Sequence, residues 1–260
     1  MKEYANRGIK EIIAEFPEVG SVLEEYGIGC GPCTIGVCRL KDVVEIHRLP
    51  QETEDEMIRR IEAVLAPDKN MPATPFTTRG MVSPERKEYS IPIQILVDEH
   101  KLIKRWLALI PAIATHLDLA SADDRQTAEK GVQFIRIYAD RLHHGKEEGI
   151  LFSYFDDTVD IFEVIYEDHR RARALVQEMV SALNSQNTEV FTSNLQEYAD
   201  LLTEHIHKEN EILFPWLDSR LTEKEHLELV TRFEKSDRNL VIDDHAFRSF
   251  VKRLEQQMNG

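Results

Sequence analysis

Two stretches of the chain set a glutamate four residues after a histidine: His143 with Glu147, and His205 with Glu209. Residues four apart on an α-helix lie one turn apart on the same face, so each pair can point at a single spot. Imidazole and carboxylate together suit iron, and also manganese or zinc. One such pair means little, because His-x-x-x-Glu is common on solvated helices. Here the pair sits in a repeat. Leu142–Phe152 and Glu204–Phe214 both read His-x-x-Lys-Glu followed by Ile-Leu-Phe, 62 residues apart. Asp98-Glu99-His100-Lys101 and Glu167-Asp168-His169-Arg170 match each other 69 residues apart. The order is lone His, His-x-x-x-Glu, lone His, His-x-x-x-Glu, as expected of a duplicated helix pair whose halves supply the same ligand types.

The apolar pattern says which way these side chains face. Phe191, Tyr198, Leu201, Leu202, Ile212, Leu213 and Trp216 share the arc of His205 and Glu209. Ile93, Leu96, Val97 and Leu107 flank His100, and Phe162, Ile165, Val176 and Val180 flank His169. Ile150 and Leu151 fall on the arc of His143, although Arg136 and Asp140 lie near it too. His100, His143, Glu147, His169, His205 and Glu209 are therefore expected to converge inside one core. Burying ionised carboxylates without partners costs on the order of several kcal/mol each. One metal with six protein ligands would be closed to chemistry. Two metals share the set better: two histidines each, both glutamates bridging, and room for an oxo or hydroxo bridge and an open position.

Neighbouring polar residues are set aside at this level. His144, His207 and Glu148 are rotated off the metal-facing arc of a regular α-helix and are expected at the surface or behind the ligands. Glu99 and Asp168 are expected as solvated charges, with a role as acceptors behind the histidines the alternative. Glu204-x-x-His207 mimics a ferritin-type Glu-x-x-His, but that fold needs two copies. His245 lies in the terminal helical stretch as a conceivable further imidazole. Tyr138, Tyr154, Tyr166 and Tyr198 read mostly as core.

These residues sit on long helices. Helical periodicity covers about 91–117, 123–154, 158–185 and 188–217, with Pro111 expected to kink the first. It continues over about 222–257 with a break near 237–239, and Thr222 with Glu225 forms a capping box at its start. No strand alternation appears. The expected fold is all-α: an up-down-up-down four-helix bundle with a C-terminal helical extension over 91–260. A stretch over 67–90, with Pro67, Pro72, Pro75 and Pro84, reads as a linker. Before it, 1–66 reads as a small helical domain: Ile9, Ile12, Ile13 and Phe16 form one stripe, and Val19, Val22, Leu23 and Tyr26 another, closed by Gly27. Val43, Val44 and Ile46 form a third, and Met57, Ile58, Ile61 and Leu65 a fourth.

All three cysteines, Cys30, Cys33 and Cys38, fall in a loop of the small domain. The Cys30-x-x-Cys33 spacing suits a reversible thiol pair or a metal site. With Cys38, and His47 as a conceivable fourth ligand, the loop could hold a further metal or an iron–sulfur cluster, although clusters usually take four protein ligands. A structural loop is the third reading. The formal net charge of -15 argues against nucleic acid and anionic membranes as partners. No apolar run approaches the ~20 residues needed to span a bilayer, and no signal-peptide pattern opens the chain, so a cytoplasmic protein is expected.

At the repeated histidines and glutamates, residues 91–217 resemble the hemerythrin (HHE cation-binding) family. The resemblance implies a four-helix bundle holding two non-haem irons through His100, His143, Glu147, His169, His205 and Glu209. Oxygen-carrying hemerythrins have a second histidine four residues after the one on the third helix, where this chain has Arg173. They end in His-x-x-x-x-Asp, where this chain has His205-x-x-x-Glu209. The four-histidine, two-glutamate set is similar to the di-iron proteins of iron–sulfur cluster repair. Those also carry a small cysteine-bearing N-terminal domain, commonly with adjacent cysteines rather than Cys30-Gly31-Pro32-Cys33. The resemblance implies handling of nitric oxide or oxidative stress, or iron delivery for cluster repair. The small-molecule partner would be nitric oxide, oxygen or peroxide, and the protein partner an electron donor or an iron acceptor. The alternatives are an oxygen-binding or oxygen-sensing module without turnover, and a peroxide-handling bundle with Cys30 and Cys33 recycling electrons.

Overall fold

A computed structural model describes residues 4–26, 28, 39–40, 43, 51–65, 89–155, 160–240 and 242–258. The cysteine loop, His47, most of the third expected small-domain helix and the linker over 67–88 lie outside these residues. Among the described residues the structure is helical, with one isolated bridge between Gly8 and Arg39. The chain divides into two compact units, 1–89 with 158–164 and 90–157 with 165–260.

In the first unit, α1 (Ile9–Glu15), α2 (Pro17–Glu25) and α3 (Gln51–Leu65) carry the core. Pro17 opens α2, where its missing N–H is no loss. Ile9, Ile12, Val19, Leu23, Met57 and Ile61 are buried together with Ile28, Leu40 and Val43. The apolar stripes of α1, α2 and α3 thus face one another.

In the second unit, α4 (Ile91–His116) runs unbroken through Pro111, the residue expected to kink it. Next, α5 (Ala122–Phe134) opens on Ser121, whose hydroxyl accepts from the Asp124 amide. The rod does not stay α-helical. It widens into π-helix over Ile135–His144 and again over Glu147–Leu151, and closes in a 3₁₀ turn at Phe152–Tyr154. After α6 (Asp160–Ser185), the chain reverses at Gln186 and Asn187. Gln186 takes a left-handed conformation (φ 54°). Its amide bonds to Leu183 O, and the Asn187 amide to Ala182 O, in a Schellman closure. Asn187 then caps α7 (Thr188–Lys208), its side chain accepting from the Val190 amide. This rod also widens, over Glu209–Leu213, before a last α-turn at Phe214–Asp218.

Apolar faces of α4 to α7 meet in one core that includes Trp106, Ile110, Phe134, Tyr138, Met179, Phe191 and Tyr198. Trp106 lies so close to α5 that a Cβ on Gly131 would sit 2.8 Å from its ring, so this crossing requires glycine. The capping box is present: the Thr222 amide and hydroxyl both donate to Glu225, and the Glu225 amide donates back to Thr222. It starts α8 (Glu223–Leu240), and α9 (Asp244–Met258) follows. The first runs through 237–239 to Leu240 and the second starts at Asp244, so the interruption does not fall near 237–239. The extension joins the bundle's packing, with Phe250, Val251 and Leu254 in the same core and Arg105 making two hydrogen bonds to Glu255. No described helix is long and apolar enough to cross a membrane.

Candidate metal centre

Four helices of the second unit bring His100, His143, Glu147, His169, His205 and Glu209 together, each at most 1% exposed. The imidazoles pair across helices. The rings of His100 and His143 have centroids 4.3 Å apart, and those of His169 and His205 4.7 Å. Glu147 spans the two pairs, with Oε1 3.3 Å from His143 Nε2 and Oε2 3.6 Å from His169 Nε2. Glu209 Oε2 lies 3.2 Å from both His100 Nε2 and His205 Nε2. Nε2 of His169 and Nε2 of His205 are 3.1 Å apart. Such a set, with its lone pairs turned inward, is poor at satisfying itself. All four carboxylate oxygens of Glu147 and Glu209, and Nε2 of His100 and His143, are buried without a well-aligned hydrogen bond. Buried carboxylates in that condition fit a cation between them.

The electrostatics of the protein side agree for His143 and His169 but not for His205. Against its burial, Glu209 and Asp168 lift that imidazole to about 9, so its proton must leave when a metal binds. Burial, reinforced by the neighbouring charge of Glu209, holds the Glu147 carboxyl well above the usual carboxylate range. Burial also opposes ionisation of Glu209, but the charge of His205 and the nearby His100 outweigh it and hold that carboxyl well below. Burial and then the neighbouring imidazoles keep His143 and His169 neutral, well below the ordinary histidine value. Neutral imidazole is the form that donates to a metal.

The opposite nitrogen of each ring is held in place. His143 Nδ1 lies 3.0 Å from Glu99 Oε2, and His205 Nδ1 3.4 Å from Asp168 Oδ2. His169 Nδ1 meets Glu148 Oε1 at 2.6 Å, and His100 Nδ1 meets Asn210 Oδ1 at 2.9 Å. An Nδ1–H donated to these acceptors leaves Nε2 as the inward lone pair. The acceptors are themselves anchored. Lys146 donates to Glu99 and pairs with Asp237 of α8, while Lys208 donates to Asp168. Arg173 donates to both Glu148 and Asp140. Both repeated lysines are buried. That explains why the repeat reads His-x-x-Lys-Glu: the lysine three residues after each histidine neutralises the acid behind that histidine. Burial lifts the Glu99 carboxyl to about 7, partly offset by Lys146.

Two sequence expectations are corrected here, at Glu99 and Asp168, and two that were open between surface and interior are decided, at Glu148 and His144. Glu99 and Asp168 are buried partners of imidazoles on neighbouring helices, not solvated charges. Glu148 stands behind the ligands, where it backs His169. His144 is not at the surface. It is 2% exposed and stacks on the His169 ring at 3.9 Å with an interplanar angle of 20°. Glu99 and Asp168 lie on regular α-helices and are buried by contacts with neighbouring rods, whereas the cause for His144 is the widened helix. A π-turn packs an extra residue into the turn and shifts every later side chain around the axis, so consecutive His143 and His144 both reach the interior. Asp98-Glu99 and Glu167-Asp168 were the available signal, because an acid directly before a repeated histidine is itself repeated. His207 and Glu204 are exposed, as is His245 on α9. Tyr138 and Tyr198 are core, and Tyr154 and Tyr166 half-buried.

Two overlapping groups could each hold a metal ion, their donor atoms lying within 4.8 Å of one another: His100, His143, Glu147 and Glu209, and His144, Glu147, His169 and His205. Against known families, residues 91–217 match the hemerythrin HHE cation binding domain. The match covers the four rods of the bundle and implies cation binding. Neither the curated proteins nor the solved structures include a significant match to the chain.

Proposed function

We propose that His100, His143, Glu147, His169, His205 and Glu209 hold two non-haem iron ions, and that the protein handles nitric oxide or related oxidative stress, or delivers iron for iron–sulfur cluster repair. The observation that carries this is Glu147, a fully buried carboxylate whose two oxygens face different histidine pairs. Such a group suits two ions rather than one. When bound, the ions would supply redox chemistry and positions at which a diatomic molecule can sit. The chain's own contribution is to offset their charge with Glu147 and Glu209, and to fix each tautomer through Glu99, Asp168, Glu148 and Asn210. It also excludes bulk water behind a layer of apolar side chains. A cavity of about 380 Å³ between the π-helical stretch Ile135–His144, α6 and α7 reaches His144 from the Arg173 side and has room for a small molecule to approach.

Protein purified without oxygen should contain two irons per chain, and the reduced form should give nitrosyl absorption bands on anaerobic mixing with nitric oxide. Iron below one per chain would overturn the di-iron reading. Full iron with no nitrosyl bands and no nitrous oxide would overturn the nitric oxide role alone, and reversible oxygenation spectra would then identify an oxygen-binding module.

A further inference from the structure

The repeat that builds the centre is broken at one buried position. Aligned on His143 and His205, Lys146 matches Lys208 and Glu147 matches Glu209, but His144 matches Ile206. Both are buried. An imidazole therefore stands where the other half has a plain core side chain. Neither ring nitrogen of His144 makes a hydrogen bond, and the nearest carboxylate oxygen to Nδ1 is Asp140 Oδ1 at 3.6 Å. A buried imidazole without a hydrogen bond costs free energy, while Ile206 shows that an apolar side chain fits the matching place. One donor atom of His144 lies within 4.8 Å of those of Glu147, His169 and His205. On its other side His144 lines the cavity, beside Arg136, Asp140, Arg173 and Tyr198.

We propose that His144 is a fifth, displaceable imidazole donor to the His169–His205 position, replaced by a small anionic ligand arriving through the cavity. This rests on the two-metal reading of the centre and adds to it an inequivalence of the two positions. Four residues beyond His169, α6 offers Arg173, a guanidinium with no lone pair to give. The π-turn of α5 supplies the extra imidazole from the neighbouring helix instead. The His100–His143 position has no counterpart, because Ile206 occupies the matching place. Of the histidines in the centre, His144 is the one that lines the cavity, so it is the donor an incoming ligand meets first. Arg173 at the cavity wall is paired with Asp140 and Glu148, which leaves exposed Arg136 as the charge that favours an anion there.

The test uses the full chain, stripped of metal and loaded with Co(II) without oxygen. Wild-type protein should take up two Co(II) per chain and show five hyperfine-shifted, solvent-exchangeable imidazole N–H resonances. Azide should remove one of them. His144→Ile, which restores the residue of the other half, should still bind two Co(II). It should show four such resonances, bind the ion of the His169–His205 position about tenfold less tightly or worse, and bind azide more tightly than wild type. Four resonances in the wild type, or azide binding and Co(II) affinity unchanged in His144→Ile, would overturn the proposal. The wild-type resonance count stands even if the variant fails to fold. Wild-type protein that takes up no Co(II) would overturn the two-metal reading itself, a result distinct from either of these.

Discussion

The α4–α5 half of the centre and the α6–α7 half are built to one plan and finished differently. Glu99, His143 and Lys146 in the first correspond to Asp168, His205 and Lys208 in the second, with the same acid-to-imidazole and lysine-to-acid contacts. The differences gather on the side of His169. That ring is backed by the carboxylate of Glu148, while the matching His100 is backed by the neutral amide of Asn210. It stacks on His144, while His100 stacks on Phe214 at 5.5 Å. Duplication thus keeps the groups that aim each Nε2 inward, and divergence acts on groups that set the charge and access of one side. A carboxylate behind an imidazole makes it a stronger donor than an amide does, so the His169 side should hold its ion more tightly.

The largest effect should come from Glu147, whose two oxygens serve both histidine pairs. Glu147→Ala should lower iron from two per chain to below one, read by metal analysis, because each histidine pair loses a carboxylate oxygen at once. Removing the acids behind the histidines comes next. Asp168→Asn leaves Lys208 buried without the ion pair described for it, and should destabilise the protein by about 3 kcal/mol in denaturant unfolding. Glu99→Gln should cost less, because Lys146 retains Asp237. Equal losses in the two variants would mean that the α8 contact does not compensate. Gly131→Ala probes packing away from the centre: with Trp106 2.8 Å from the new Cβ, it should cost about 1–3 kcal/mol and leave metal content unchanged. The smallest change sharpens the comparison most. Asn210→Asp gives His100 the kind of backing His169 has, and should tighten the weaker Co(II) step by about tenfold. A titration identical to wild type would show that this hydrogen bond does not set the difference between the halves.

Much of this architecture is legible in the residues alone. The long rods follow from apolar periodicity, the start of α8 from the Thr222 and Glu225 capping box, and the six converging side chains from their repeated spacing. The break in the terminal stretch is placed too early, because Asp237 and Arg238 look like a polar interruption when Asp237 in fact pairs with buried Lys146 inside α8. Glu99 and Asp168 are misread because their partners, His143 with Lys146 and His205 with Lys208, come from other helices, and His144 because an ideal α-helix turns it away from the centre.

By itself the sequence determined the helical class, the duplicated plan and the identity of the inward-facing imidazoles and carboxylates, since these depend on side-chain type and on spacing of four along one rod. Tertiary structure alone decided which acid stands behind which histidine and that His144 enters the core. Both outcomes depend on contacts between helices and on the π-turns that widen α5 and α7, and neither has a period that can be read along a single chain.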